Sequence, residues 1–408
     1  MSVPKLRFKE FDGEWAKTSF QDLFIFKNGV NASKEQYGSG IKFINVLDII
    51  NNPNGITYDS IIGSVDITSK EIDKNLVKYG DVLFQRSSET REEVGQSNVY
   101  LGKEPVVFGG FVIRGSAQKE YDPIFMNGLL KTDSLRDQIT QLSGGSTRFN
   151  IGQDSLNKVS AYLPSKLEQT KIASFLSAVD EKIKQLTQKH ELLSQYKQGM
   201  MQKLFSQQIR FKADDGSEFE EWEKTILGKI GIFLKGKGIS KADIVQNGAI
   251  PCIRYGELYT QYGEVISNVI SATNLEVNSL VLSKANDVLI PASGETQIDI
   301  ATASCVLQSE VALSGDLNIF RTEENGVFLS YLIRSHLKMQ IAQLAQGNSV
   351  VHLYSSQLKG VQLNLPCLEE QTKIANFLSA IDQKIEVVVQ QIKQVKQWKK
   401  GLLQQMFV

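Results

Sequence analysis

One stretch of this chain occurs twice, and it limits what the whole can fold into. Residues 163–206 begin LPSKLEQTKIASFLSAVDEKIKQL, and residues 365–408 begin LPCLEEQTKIANFLSAIDQKIEVV. The copies align without a gap: Leu163 falls on Leu365, Pro164 on Pro366 and Phe205 on Phe407. Each closes with Lys-x-Gly and then Gln-x-x-Phe, as Lys197, Gly199, Gln202 and Phe205 in one and Lys399, Gly401, Gln404 and Phe407 in the other. A repeat of this kind dictates architecture before any local reading does.

Each copy predicts one long helix. Ile172, Leu176, Val179, Ile183 and Leu186 are spaced alternately four and three apart, and the line runs on through His190, Leu193, Lys197, Met200 and Leu204. The second copy repeats it with Ile374, Leu378, Ile381, Ile385 and Val388, then Ile392, Val395, Lys399, Leu402 and Met406. That spacing is the seam of a coiled coil. Ser165 with Glu168 reads as a capping box, and Pro164 stops the helix from extending upstream. At about 1.5 Å per residue, a helix of about 40 residues spans roughly 60 Å. Alone it would leave its apolar stripe in water, so the two copies are expected to pair.

The segments before each copy also echo one another. LRFK at Leu6–Lys9 returns as IRFK at Ile209–Lys212, and Trp15 returns as Trp222. IKFINVLDI at Ile41–Ile49, which reads as a buried strand, matches IPCIRYGEL at Ile250–Leu258, so Arg254 falls where Asn45 stood. GDVLFQRSSETR at Gly80–Arg91 matches NDVLIPASGETQ at Asn286–Gln297. Asp122–Ser143 reads as one helical stretch and matches Gly326–Gln346; the polar loops Gly144–Asn150 and Gly347–Leu353 follow. Short strands with turn signals between them, such as NNPNG at Asn51–Gly55, indicate an α+β globule rather than a doubly wound sheet. The expected domains are 1–162 and 207–364, two similar globules, with helical regions 163–206 and 365–408. Two such units joined through an antiparallel helix pair close about a pseudo-two-fold axis. The globules would then lie at the two ends of a rod. Two similar but non-identical readers at fixed separation suit a target with two different halves, such as DNA half-sites about one turn (~34 Å) apart.

Composition bounds the rest. The chain has 408 residues, 41% of them hydrophobic, and a formal net charge of zero, so any basic surface is local. No apolar run reaches membrane-spanning length, and MSVPKLRFKE carries no signal-peptide pattern. Cys252, Cys305 and Cys367 stand far apart, which argues for a reducing compartment and against zinc. His190, His336 and His352 are too scattered to nominate a metal cluster.

The repeated stretch resembles the conserved regions of the specificity subunit of type I restriction-modification enzymes. The pattern is Glu168, Gln169, Ile172, Ala173, Leu176 and Asp180, repeated as Glu370, Gln371, Ile374, Ala375, Leu378 and Asp382. The GDVL turn at Gly80–Leu83 fits as well, while the second copy departs with Asn286. The likeness covers the whole chain: recognition domain, helix, recognition domain, helix. It implies a non-catalytic, cytoplasmic reader of double-stranded DNA in which each globule recognises one half of a gapped site. The helix pair would set the gap and dock two methyltransferase subunits. Those subunits would methylate adenine with S-adenosylmethionine, and restriction subunits, where present, would use ATP and Mg2+; this chain itself is expected to hold no cofactor or metal. A reading from another class is a coiled-coil scaffold joining two protein-binding modules. Salt-dependent DNA binding separates the two, because phosphate contacts make affinity fall with salt.

Catalytic alternatives find little support. KGKGIS at Lys235–Ser240 lacks the spacing of a phosphate-binding loop. No Glu-x-Lys element of a nuclease occurs. DPIF at Asp122–Phe125 approaches an amino-methyltransferase motif but has Ile124 where a second proline belongs, with no glycine-rich cofactor loop beside it.

Candidate DNA readers are the matched loops after the xDVL strands. They share Ser87, Glu89 and Thr90 with Ser293, Glu295 and Thr296, and then differ, Arg91 against Gln297. Arginine suits guanine O6 and N7, and glutamine suits adenine N6 and N7. Arg148 and His352, in the loops before each long helix, come next, then Arg86 and Arg254; Arg86 and Arg148 could instead hold phosphates. The bland alternative is a hairpin with solvated ends. Lys197 and Lys399, at equivalent seam positions, are expected to meet solvent where the helices splay, with Tyr196 and Trp398 taking over the contact. Lys182, Lys184, Lys189, Lys393, Lys396 and Lys400 read as a solvated face.

Overall fold

A computed structural model of the chain describes residues 3–347 and 350–408. Asn348 and Ser349, part of the polar loop Gly347–Leu353, lie outside the described residues. Each copy of the repeated stretch is a single helix, Lys166–Phe205 of 40 residues and Leu368–Met406 of 39 residues. Along the seam Ile172, Leu176, Val179, Leu186, Ile374, Leu378, Ile381 and Val388 are buried, and Ile183 and Ile385 partly so.

The chain divides into two compact units. The first joins Met1–Gln188 to Gln390–Val408, and the second is Lys189–Val389. Each unit therefore holds one globule, the first part of its own long helix and the last part of the other copy's helix. The units cut across the segments read from the sequence.

In the first unit an antiparallel four-stranded sheet has the order Phe24–Asn28, Val112–Ala117, Val82–Gln85, Ser97–Val99. A three-stranded sheet sets Tyr37–Ile44 between Ser64–Val65 and Val107–Phe108. The second unit repeats the plan with a five-stranded sheet, Gly231–Lys235, Leu317–Thr322, Val288–Pro291, Ser304–Val306, Val265–Ile266, and a three-stranded one centred on Ile250–Ile253. In both, a strand pair joins the start of the globule to the residues before the long helix: Ala16–Ser19 with Ser160–Leu163, and Glu223–Ile226 with Gln362–Leu365.

Two expectations need correction. The strand read over Ile41–Ile49 ends at Ile44, and Val46–Asn51 is helical. The Asn45 side chain accepts the Leu47 N–H at 2.8 Å, and Asp48 returns to the Asn45 N–H at 2.8 Å. That reciprocal cap starts a helix where the apolar run suggested a strand. The stretch Asp122–Ser143 is two helices, Pro123–Leu129 and Asp133–Gln141. Thr132 breaks it: its hydroxyl donates to the Leu129 carbonyl at 2.8 Å, an alternative to continuing the helical ladder.

The repeated motif turns out to bind each globule to its helices. Glu168, 2% exposed, accepts Arg7 Nε at 2.7 Å and Nη2 at 2.8 Å, and Trp15 Nε1 at 3.4 Å. Glu370 does the same with Arg210 at 3.1 and 2.8 Å and Trp222 at 3.0 Å. Such paired, charge-assisted bonds are the strong kind, and they make up for burying a carboxylate. The capping box expected at Ser165 is therefore half present: Ser165 Oγ accepts the Glu168 N–H at 3.3 Å, but the carboxylate is turned to Arg7. Gln169 accepts the Asp122 N–H at 2.9 Å and donates to the Pro164 carbonyl at 3.0 Å. Gln371 treats Asn325 and Pro366 alike, at 3.0 and 2.8 Å.

The seam lysines are also corrected. In the first unit Leu176, Leu403 and Phe407 converge on Gly128 and Lys399 pairs with Asp180, so the helix segments run antiparallel. In the second unit Lys197 lies 2.7 Å from Asp382 and 2.9 Å from Glu264, over the Tyr331 ring. Both lysines are largely buried because acidic partners stand opposite them, whereas Tyr196 and Trp398 stay half exposed. Beside Lys399, Lys131 donates to Asn127 Oδ1 at 2.9 Å and to the Pro53 carbonyl. Burial, with the Lys399 charge nearby, pushes its amine down to about 7. At the corresponding helix end of the second unit, Arg334 donates to the carbonyls of Ala303, Leu258 and Tyr262 at 2.6–2.9 Å.

The xDVL turns explain their own variation. Gly80 has φ +88° and Asn286 has φ +80°. Both hold the left-handed region, which glycine adopts freely and asparagine tolerates best among side-chain residues. The aspartate that follows is fixed by an arginine from the neighbouring strand, Asp81 by Arg114 and Asp287 by Arg321.

Candidate functional site

The two sets of candidate loops come together in each unit. In the first, the strand Val82–Gln85 leads through Arg86 into Ser87–Ser88, which pairs antiparallel with Phe149–Asn150. Asn150 and Gly144 exchange backbone hydrogen bonds at 2.8 and 2.9 Å, closing a loop that carries Arg148. Gly145 has φ +123°, and a Cβ there would lie 2.1 Å from the Arg148 carbonyl oxygen, so the turn requires glycine. In the second unit Ser293–Gly294 pairs with Val351–His352, and His352 exchanges backbone bonds with Gln346 at 2.7 and 2.9 Å. Gly347 has φ +121°, and a Cβ there would lie 2.1 Å from the Val350 carbonyl oxygen.

On this common frame the side chains differ. His352 stands opposite Ser293, and Asn150 opposite Ser87, so Asn150 is the counterpart of His352 and Val350 that of Arg148. His352 Nδ1 lies 3.2 Å from Ser293 Oγ. Exposed Arg91 donates through Nε to the Thr140 carbonyl at 3.2 Å; exposed Gln297 opens the helix Gln297–Ile300 and reaches the Ala345 carbonyl at 3.5 Å. Exposed Arg86 holds its backbone between Phe111 and Ile151, both at 2.9 Å, and its Nη1 lies 3.4 Å from the Gly110 carbonyl. Ala292 takes that place in the second unit, between Asp316 and Leu353. Arg254 is set apart from the others. It is half-buried 3.5 Å from Glu257, whose carboxylate also accepts the Arg254 N–H at 3.0 Å and the Ser271 hydroxyl at 2.6 Å.

The ion pairs of the first unit use Arg7, Arg114, Lys166, Lys171 and Lys399. Among the described residues Arg86, Arg91 and Arg148 belong to none, so their charges face solvent or a ligand. Ser87 and Arg148 also border a cleft of about 720 Å³ with Asn31, Tyr37, Phe43 and Phe111. Sequence reasoning missed Asn150 and this cleft. Extending the repeat upstream of Leu163 in its own register would have matched Asn150 to His352; nothing local joins the cleft residues, which come from distant segments. Among the described residues no cluster of three or more His, Cys, Asp and Glu is placed to hold a metal ion, and no helix is long and apolar enough to cross a membrane.

Comparison with known proteins matches both units to one family. The family model described as type I restriction modification DNA specificity domain fits residues 12–195 and again 219–397. The putative MjaX specificity subunit of a type I restriction enzyme from Methanocaldococcus jannaschii is 25% identical, over 98% of this chain and 94% of that one. The StySPI specificity subunit of Salmonella potsdam is 23% identical over 93% and 84%. Among solved structures, the type I restriction-modification S subunit from M. genitalium superposes with a TM-score of 0.57 at 18% identity, over 100% of this chain and 99% of that one. The HsdS subunit from Thermoanaerobacter tengcongensis gives 0.52 at 15%, over 96% of each chain.

Proposed function

Given that the chain belongs to the type I restriction-modification specificity subunits, with two copies of the DNA specificity domain, we propose that it reads a bipartite, gapped site in double-stranded DNA. Each unit recognises one half. The observation that carries this reading is one loop frame built twice with different chemistry on it: Arg91, Arg148 and Asn150 against Gln297, Val350 and His352. A frame that conserves backbone pairing while changing donors and acceptors is what two unlike half-sites require. Arg86, Ser87 and Ser293 border the same edge, and the arginines can hold phosphates that fix register. Arg254, paired with Glu257, contributes by shaping its unit.

The chain acts without catalysis of its own. The helix pair sets the spacer and docks two methyltransferase subunits, which bring S-adenosylmethionine; restriction subunits, where the system has them, bring ATP and Mg2+. The assembly works on DNA in the cytoplasm. The test is an adenine-methylation map of the host genome with and without the gene. One gapped motif should lose methylation on deletion. Arg91→Ala should relax one half of that motif and leave the other intact. Equal loss at both halves would sink the assignment of Arg91, and an unchanged map in a host that expresses the methyltransferase subunits would sink the function.

A further inference from the structure

The cleft of the first unit has a shape and a chemistry that the loop frame does not explain. We propose that it receives one extrahelical nucleotide of the bound DNA, an inference that rests on the DNA-reading function above. Shape argues first. Duplex grooves are read by elements that protrude from a protein, whereas a concavity of about 720 Å³ accepts a group that protrudes from the ligand. A nucleotide swung out of the stack is such a group.

The lining matches a nucleotide part by part. Buried Phe43 lies beneath the cleft, and Phe111 and Tyr37, 65% and 46% exposed, stand at its edge. Aromatic faces of this kind stack on any base. The Asn31 side chain makes no hydrogen bond among the described residues, leaving a donor and an acceptor for a base edge. It lies against the Gly110 backbone, where a Cβ on Gly110 would fall 1.8 Å from Asn31 Oδ1. Arg148, free of carboxylate partners, supplies positive charge at the same cleft, and no aspartate or glutamate lines it. A docked apolar peptide would have no use for that unpaired cation, and a phosphate would. In the second unit Asp316 and Val350 stand where Phe111 and Arg148 stand in the first, so among the described residues this aromatic and this cation are not repeated.

The experiment uses the chain assembled with its methyltransferase subunits and the duplex motif found by methylation mapping. Single mismatches are introduced across the first unit's half-site, leaving aside the methylated pair. A mismatch lowers the cost of extrusion, so binding should tighten several-fold at one position. Phe111→Ala and Asn31→Ala, both at exposed positions, should each abolish that gain while the complex still assembles and still binds matched DNA. If no mismatch outside the methylated pair tightens binding of the wild-type complex, the proposal is overturned. It is overturned too if the variants shed methyltransferase subunits in size-exclusion chromatography, which would make the cleft a protein-docking site. Binding of dAMP or dTMP to the complex without any mismatch effect would make it a small-molecule site instead. Failure of the wild-type complex to bind the motif at all would count against the underlying function, a distinct result.

Discussion

In the first unit Glu168 gathers Arg7 and Trp15, Gln169 takes the Asp122 backbone, and Asp180 takes Lys399. In the second, Glu370 gathers Arg210 and Trp222, Gln371 takes the Asn325 backbone, and Asp382 takes Lys197. Few residues of the globules survive the comparison so well. Those that do either bind the globule to the helices or fix the xDVL turn. The loop edges, by contrast, change arginine to glutamine, phenylalanine to aspartate and asparagine to histidine. Contacts to the helices have to satisfy the same partners in both copies, and exposed loop edges do not. The copies therefore agree at the helix contacts and differ at the loop edges.

The largest expected break in this symmetry comes from the buried carboxylates. Arg7→Ala should strand Glu168 and destabilise the first unit by about 3 kcal/mol, and Arg210→Ala should do the same to the second, since an uncompensated buried charge is expensive. Hydrogen exchange on the intact chain, read unit by unit, should show loss of protection confined to one unit in each variant. Loss spread evenly over both would mean that these contacts are not local latches.

The seam lysines should separate the units. Lys197→Met leaves Glu264 and Asp382 facing one another and should cost the second unit about 2 kcal/mol. Lys399→Met strands only Asp180 and removes a cation beside Lys131, so the first unit should lose less than about 1 kcal/mol. Urea unfolding followed by proteolysis of each unit measures both, and equal losses would refute the difference.

A third way to separate the units is a pH slope. The folded-state amine of Lys131 sits near 7 and the unfolded one near 10.4, so the folded state binds fewer protons between those values. The stability of the first unit should rise with pH from about 7 to about 10 for this reason. Lys131→Met should flatten that part of the slope, and the second unit, with Arg334 in the corresponding place, should lack it. A slope unchanged by Lys131→Met would show that another group carries it.

Much of this was legible in the sequence because a repeat is a comparison already made. The heptad seam, the two helices and the pairing of Trp15 with Trp222 followed from register alone. What register does not show is the partner: Glu168 read as half of a capping box, yet Arg7, far away in the chain, claims it. Lys197 and Lys399 read as solvent-facing for the same reason, since Glu264 and Asp180 come from elsewhere. Local side-chain bonds defeated periodicity twice, at Asn45 and at Thr132. The candidate loops were found because both copies carry them. The cleft was not, because Asn31, Tyr37, Phe111 and Arg148 meet only after folding.

The first unit needs Gln390–Val408, which the ribosome delivers only after the whole of the second globule. Its core encloses Leu402, Met406 and Phe407 together with Ile172, Leu176 and Trp15. At about 5–20 residues per second, the roughly 200 intervening residues take some tens of seconds to emerge. Throughout that interval the seam of the first helix lacks its cover, whereas the second unit is already continuous in the nascent chain. The globule made first is thus finished last. Termination before Gln390 would strand it with an open apolar stripe, and only chains translated through this stretch would complete both units.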